Sequence, residues 1–154
     1  MRHLSKSFLI AGVFVVAVGC ETGRHSSAGF RLPPDGDGER GKAAFIALGC
    51  HACHDVDGVP LPKASLRPKV PVLLGGTLDK PMTDGYLVTS IIYPSYELAP
   101  YPRSEITSGG ESRMPRYADR LTVQQLVDIV AFLQSRYRMR RMLRSSGSNT
   151  APLS

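Results

Sequence analysis

Five consecutive positions, Cys50-His51-Ala52-Cys53-His54, hold two of the three cysteines and two of the four histidines in this 154-residue chain. Thiolates and imidazoles are nucleophiles, redox groups and metal ligands, so their crowding points to one of three chemistries. A zinc site needs four ligands, usually as two Cys/His pairs, and no second pair follows if Cys20 is used elsewhere. A C-x-x-C thiol oxidoreductase sits beside a βαβ pattern, which the sequence lacks. The third reading uses all three spacings at once: C-x-x-C-H is the attachment sequence of a c-type haem. Cysteines three apart on a helical turn can each form a thioether with one vinyl group, and the adjacent His54 then faces the iron. His51 fills an open slot of the motif and reads as a solvated spacer.

A haem gripped on one side needs a second axial ligand or an open site on the other. Met114, in "SRMPRYADRLT", lies 60 residues after His54, in a loop ahead of the last helix, where its thioether sulfur can close the sixth position. Met82 is 28 residues from His54, too near in sequence to reach the opposite face. Met139 and Met142 lie among arginines and read as packing or surface.

These residues need a scaffold. "DGERGKAAFIALG" offers Asp37 as N-cap, then alanines and Phe45, Ile46 and Leu48 before Gly49, which spells a short helix. Gly41 and Phe45 share a face, and a glycine there admits a second helix closely. The partner is "LTVQQLVDIVAFLQSRYR", with Thr122 and Gln125 as a capping box and Leu121 and Leu126 as a hydrophobic staple. Its Leu126, Val130, Leu133 and Tyr137 fall on one stripe, widened by Ile129 and Phe132. A third helix is expected from Thr83 to Tyr93, stopped before Pro94. No segment alternates as a strand, so the expected class is all-α, with about three to five short helices. Fifteen glycines and twelve prolines leave much of the chain to loops.

Both ends read differently from the middle. Residues 1–19 carry Arg2 and Lys6 ahead of an apolar run that is shorter than the roughly 20 residues of a spanning helix, the pattern of a signal peptide. The run ends in "AVGC", which resembles the lipobox of bacterial lipoproteins and makes Cys20 a lipidation site. An ordinary secretory cut nearby would leave Cys20 a free thiol. Residues 20–37, rich in Gly, Ser and Pro, are expected to be a flexible tether with a reach on the order of 20 to 25 Å; His25 within it is assigned no role. The domain is expected over 38–138, and 139–154 as a basic, disordered tail.

The formal charge is +6, and loss of residues 1–19 leaves 17 basic against 13 acidic residues, or +4. No nucleic-acid motif or aromatic stacking series accompanies the excess, so nucleic acid is not an expected partner. The basic residues gather at Arg136, Arg138, Arg140, Arg141 and Arg144, where they could steer an acidic docking face or meet anionic lipid. Arg103 and Arg113 are candidates for neutralising haem propionates.

Taken in order, "GKAAF", "LGCHACH", "PVLLG", "YLVTSIIYPS", "RMPRY" and "LTVQQLVDIVAFL" resemble the class I monohaem cytochromes c, and among them the small domains fused to some oxidase second subunits. The resemblance covers roughly Gly38 to Tyr137. It implies the cytochrome c fold, with Gly41 and Phe45 meeting Phe132 and Leu133 where the first and last helices cross. It implies one covalent haem c on Cys50 and Cys53, with His54 and Met114 as iron ligands. Pro71 corresponds to the proline whose carbonyl accepts the other ring N–H of the proximal histidine, with Pro60, Pro62 and Pro68 as alternatives, since "DVDGVPLPKASLRPK" is inserted between. With both axial positions filled, the implied role is electron transfer between a donor and an acceptor protein on the periplasmic side of a bacterial membrane, not catalysis. The alternative is a haem-bearing subunit, sensor or peroxidase-like protein in which a small molecule displaces Met114.

Overall fold

Asp37 opens the first helix as its residue type foretells: its carboxylate accepts from the Arg40 amide at 2.8 Å, and α1 runs from Gly38–Ala47. The computed structural model describes residues 30–65, 68 and 70–140. The expected signal peptide, Cys20, His25, Met142, Arg141, Arg144 and the last residues of the tail lie outside them. Helix α1 ends at Gly49, whose φ of 77° is the left-handed conformation that an L side chain resists. A 3-10 turn over Cys50–Ala52 follows at once.

Helix α2, Asp84–Ile92, is capped by the Thr83 hydroxyl, and a single turn, α3, spans Arg103–Ile106. Helix α4, Val123–Gln134, has the full capping box: Thr122 Oγ1 accepts from the Gln125 amide at 3.1 Å, and Gln125 Oε1 accepts from the Thr122 amide at 2.8 Å. It buries Val127, Ile129, Val130, Phe132 and Leu133, close to the expected stripe.

The described residues are mostly helical, as expected, but not clearly all-α. Six strands of two or three residues stand among the described residues: β1 (His54–Val56), β2 (Val72–Leu74), β3 (Gly76–Leu78), β4 (Thr107–Ser108), β5 (Glu111–Ser112) and β6 (Tyr137–Met139). They form three two-stranded pairs, β1 with β2 and β3 with β6 parallel, β4 with β5 antiparallel. Strands this short leave no alternation in the sequence to read. Tyr137, expected on the helical stripe, lies in β6 instead, because α4 stops at Gln134 and the Ser135 hydroxyl donates back to the Phe132 carbonyl at 2.6 Å.

The core sits where α1 packs on α4, the most extensive contact between elements. A Cβ on Gly41 would overlap the Asp128 carbonyl and stand 2.8 Å from Phe132 Cβ, so only glycine permits this crossing. Gly36 also approaches α4 closely, and a Cβ there would lie 2.8 Å from that of Ala131. Phe45 and Phe132 meet edge-to-face at 5.7 Å, as expected of the crossing. One polar cluster ties the same helices: Asp128 on α4 accepts from the Asp37 amide at 2.8 Å and from Arg40 Nε and Nη2 at 2.9 Å each. Leu32, upstream of α1, packs against this core too.

Candidate functional site

The C-x-x-C-H stretch follows directly from the end of α1, and two backbone bonds shape it. The Ala52 amide donates to the Gly49 carbonyl at 3.0 Å and the Cys53 amide to the Cys50 carbonyl at 3.1 Å, so both cysteines stand on one tight turn. Neither is in a disulfide; Cys50 is half-buried and Cys53 exposed. Burial pushes the Cys50 thiol above its usual value, opposed by the nearby Tyr117 hydroxyl.

Pairing of β1 with β2 sets the imidazole. The register places His54 opposite Val72, and the ring Nδ1 comes to 3.3 Å from the Val72 carbonyl. The expected acceptor was the Pro71 carbonyl or that of Pro60, Pro62 or Pro68; the strand register selects the residue after Pro71 instead. With Nδ1–H donating, the lone pair lies on Nε2, the form that ligates a metal. Burial first lowers the pKa of His54, the Val72 carbonyl acting in the opposite direction, so the ring is neutral at physiological pH.

The Met114 segment follows the β4–β5 hairpin. The Met114 amide donates to Ser112 Oγ at 3.1 Å, and the Ser112 amide donates to Ser95 Oγ at 3.0 Å, which fastens the hairpin to the loop after α2.

Between these segments is a partly open, apolar pocket. Cys50, His54 and Met114 all line it; the rest of the wall is almost wholly apolar, from Phe45 and Leu48 of the α1 end, Leu74, Leu87, Ile91, Leu121, Ile129 and Leu133. Ser90 and Tyr117 bring its two hydroxyls. Tyr117, unremarked in the sequence, donates to the Leu48 carbonyl at 3.1 Å; its burial and then the neighbouring Cys50 sulfur push its pKa up to about 12. A conserved-looking spacing could not have flagged it, because its acceptor is backbone.

The competing residues fall elsewhere. Cys53, exposed on the turn, does not line the pocket. Met82 packs against the core and its carbonyl accepts from Gln134 Nε2 at 2.9 Å, while Met139 is exposed in β6. His51 is half-buried, not solvated as expected, and its Nδ1 is shielded without a hydrogen-bond partner. Arg103 and Arg113 are exposed and absent from the wall. Of the basic run, Arg138 pairs with Asp57 at 2.7 Å, Arg140 with Asp79 at 2.9 Å, and Arg136 lies over the Phe132 ring. Among the described residues no group of three or more His, Cys, Asp or Glu converges as a metal site.

An imidazole, a thioether and a thiol lining one largely apolar pocket, with a second thiol on the same turn, fit a covalently attached haem. The family model described as Cytochrome c matches residues 38–136, well over half of the chain, and the chain belongs to the cytochrome c family. That family binds the iron-containing haem c covalently, and its domains carry electrons between redox partners. Searches of curated proteins and of solved structures returned no match.

Proposed function

We propose that this protein is a membrane-tethered c-type cytochrome that passes single electrons between redox proteins. Cys50 and Cys53 would hold the haem by thioethers, and His54 Nε2 and the Met114 sulfur would be the donors to its iron. When bound, the haem supplies an iron that alternates between ferrous and ferric states. His54 is oriented by the Val72 carbonyl, which fixes its tautomer and raises its basicity. The apolar wall excludes water, and Met114 occupies the position where a substrate or gas would otherwise bind, so the chain's residues favour transfer over catalysis. Met/His ligation raises the potential, since the soft sulfur favours the ferrous state.

The observation that carries this reading is that His54 and Met114, 60 residues apart, line one apolar pocket. The test is an absorption spectrum of the purified holoprotein. A sulfur-to-iron band at the red end of the ferric spectrum, with a ferrous spectrum unchanged by carbon monoxide, is expected. Ready binding of carbon monoxide would replace this reading with that of a sensor or peroxidase-like protein.

The tether, and with it a location on the periplasmic side of a bacterial membrane, is supported by the signal-like residues 1–19 and the "AVGC" that ends in Cys20. Fractionation of cells checks it: the wild type is expected with the membranes, and Cys20→Ser in the soluble fraction. The donor and acceptor are proteins, and an acidic docking face on one of them would complement the chain's positive charge.

A further inference from the structure

The Met114 segment has little of its own to hold it. On its N-terminal side the Met114 amide bonds Ser112 Oγ; Pro115 next in line has no N–H to donate. Beyond it the exposed Arg116 lies over the Tyr93 ring, and the first buried anchor is Tyr117, only 8% exposed, whose hydroxyl donates to the Leu48 carbonyl at 3.1 Å, 69 positions away in sequence. Leu48 ends α1 two residues before Cys50, and the same hydroxyl lies within reach of the Cys50 sulfur. Leu48, Cys50, Met114 and Tyr117 share one pocket wall. One phenol therefore joins the segment bearing the distal sulfur to the turn that bears the attachment cysteines.

We propose that Tyr117 is a positioning residue: its O–H···O=C bond to Leu48 latches the Met114 segment against the Cys50 turn and so sets how readily a small ligand displaces the Met114 sulfur. This rests on the His54/Met114 reading. Displacement requires the segment to swing outward, and a bond present only in the latched state opposes that swing. A hydrogen bond of this kind changes such an equilibrium by about fivefold.

The test uses the full-length holoprotein, imidazole as the competing ligand, and three forms: wild type, Tyr117→Phe and Thr122→Ala. Tyr117→Phe keeps the ring in the pocket and removes only the hydroxyl. Thr122→Ala weakens α4 at its cap, leaves the Tyr117 hydroxyl and its acceptor unaltered, and controls for loss of general stability. Imidazole binding is followed by loss of the sulfur-to-iron band, with denaturant unfolding measured in parallel. Tyr117→Phe is expected to bind imidazole about fivefold more tightly than wild type, with haem content unchanged, while Thr122→Ala matches wild type. Equal imidazole affinity in Tyr117→Phe and wild type overturns the latch and leaves the axial assignment standing. An equal rise in both variants also overturns it, assigning Tyr117 to stability alone. A wild type without the band removes the axial assignment, and the latch falls with it.

Discussion

Asp128 gathers the Asp37 amide, the Arg40 guanidinium and the Gln124 amide on one carboxylate, and its pKa is held down to about 2, first by the Arg40 hydrogen bond and then by the Asp37 amide. A carboxyl whose folded pKa lies below its unfolded value of 3.8 favours the folded state fully above that value. The contribution is lost as pH falls from 3.8 through about 2. Urea midpoints measured from neutral pH downward check this: Asp128→Asn is expected to be less stable at neutral pH and to show a flatter decline over that interval than wild type. Parallel curves would remove Asp128 from the acid response. The residues legible in the sequence were those whose chemistry is in the side chain and whose spacing is local, as in Cys50, Cys53 and His54. Those missed act on distant or backbone partners: nothing in Val72 marks its carbonyl as the acceptor for His54, and Tyr117 reaches a carbonyl likewise.

At the scale of elements, the helices could be read closely because caps and apolar stripes are periodic, local signals: Asp37, Thr83 and Thr122 begin α1, α2 and α4. The strands could not, being too short to alternate and mostly paired in parallel across long gaps. Their role is positional all the same, since one register step in β1–β2 would move the Val72 carbonyl away from the His54 ring. The α1–α4 crossing depends on Gly41. Alanine there would gain about 1 kcal/mol of helix propensity, but its Cβ would meet the Asp128 carbonyl, which is fixed within α4 and cannot turn aside. Overpacking costs about 1–3 kcal/mol and more against backbone, so the loss wins. Gly41→Ala is expected to lower the denaturant midpoint, by about 2 kcal/mol in stability; a midpoint at or above that of wild type would show that the helices part without cost.

For the whole molecule, a basic run that reads as a docking patch turns out in part to fasten the domain. Arg138 and Arg140 pair with Asp57 and Asp79 beside the β3–β6 ladder, exposed pairs that each contribute about 0–1 kcal/mol. The charge of these two arginines is answered at short range by the two carboxylates. The fold thus joins three pieces distant in sequence, the α1 end with its cysteines, the strand that orients His54, and the hairpin that delivers Met114, around one dry pocket. The claim on which this depends is covalent attachment at the C-x-x-C-H turn. Mass spectrometry of the protein, made in a host that matures c-type cytochromes and then cleaved to peptides, tests it directly. The account predicts that the peptide containing Cys50 to His54 carries the mass of one haem with neither thiol open to alkylation. The same peptide at its bare mass, with both thiols alkylated, would contradict it.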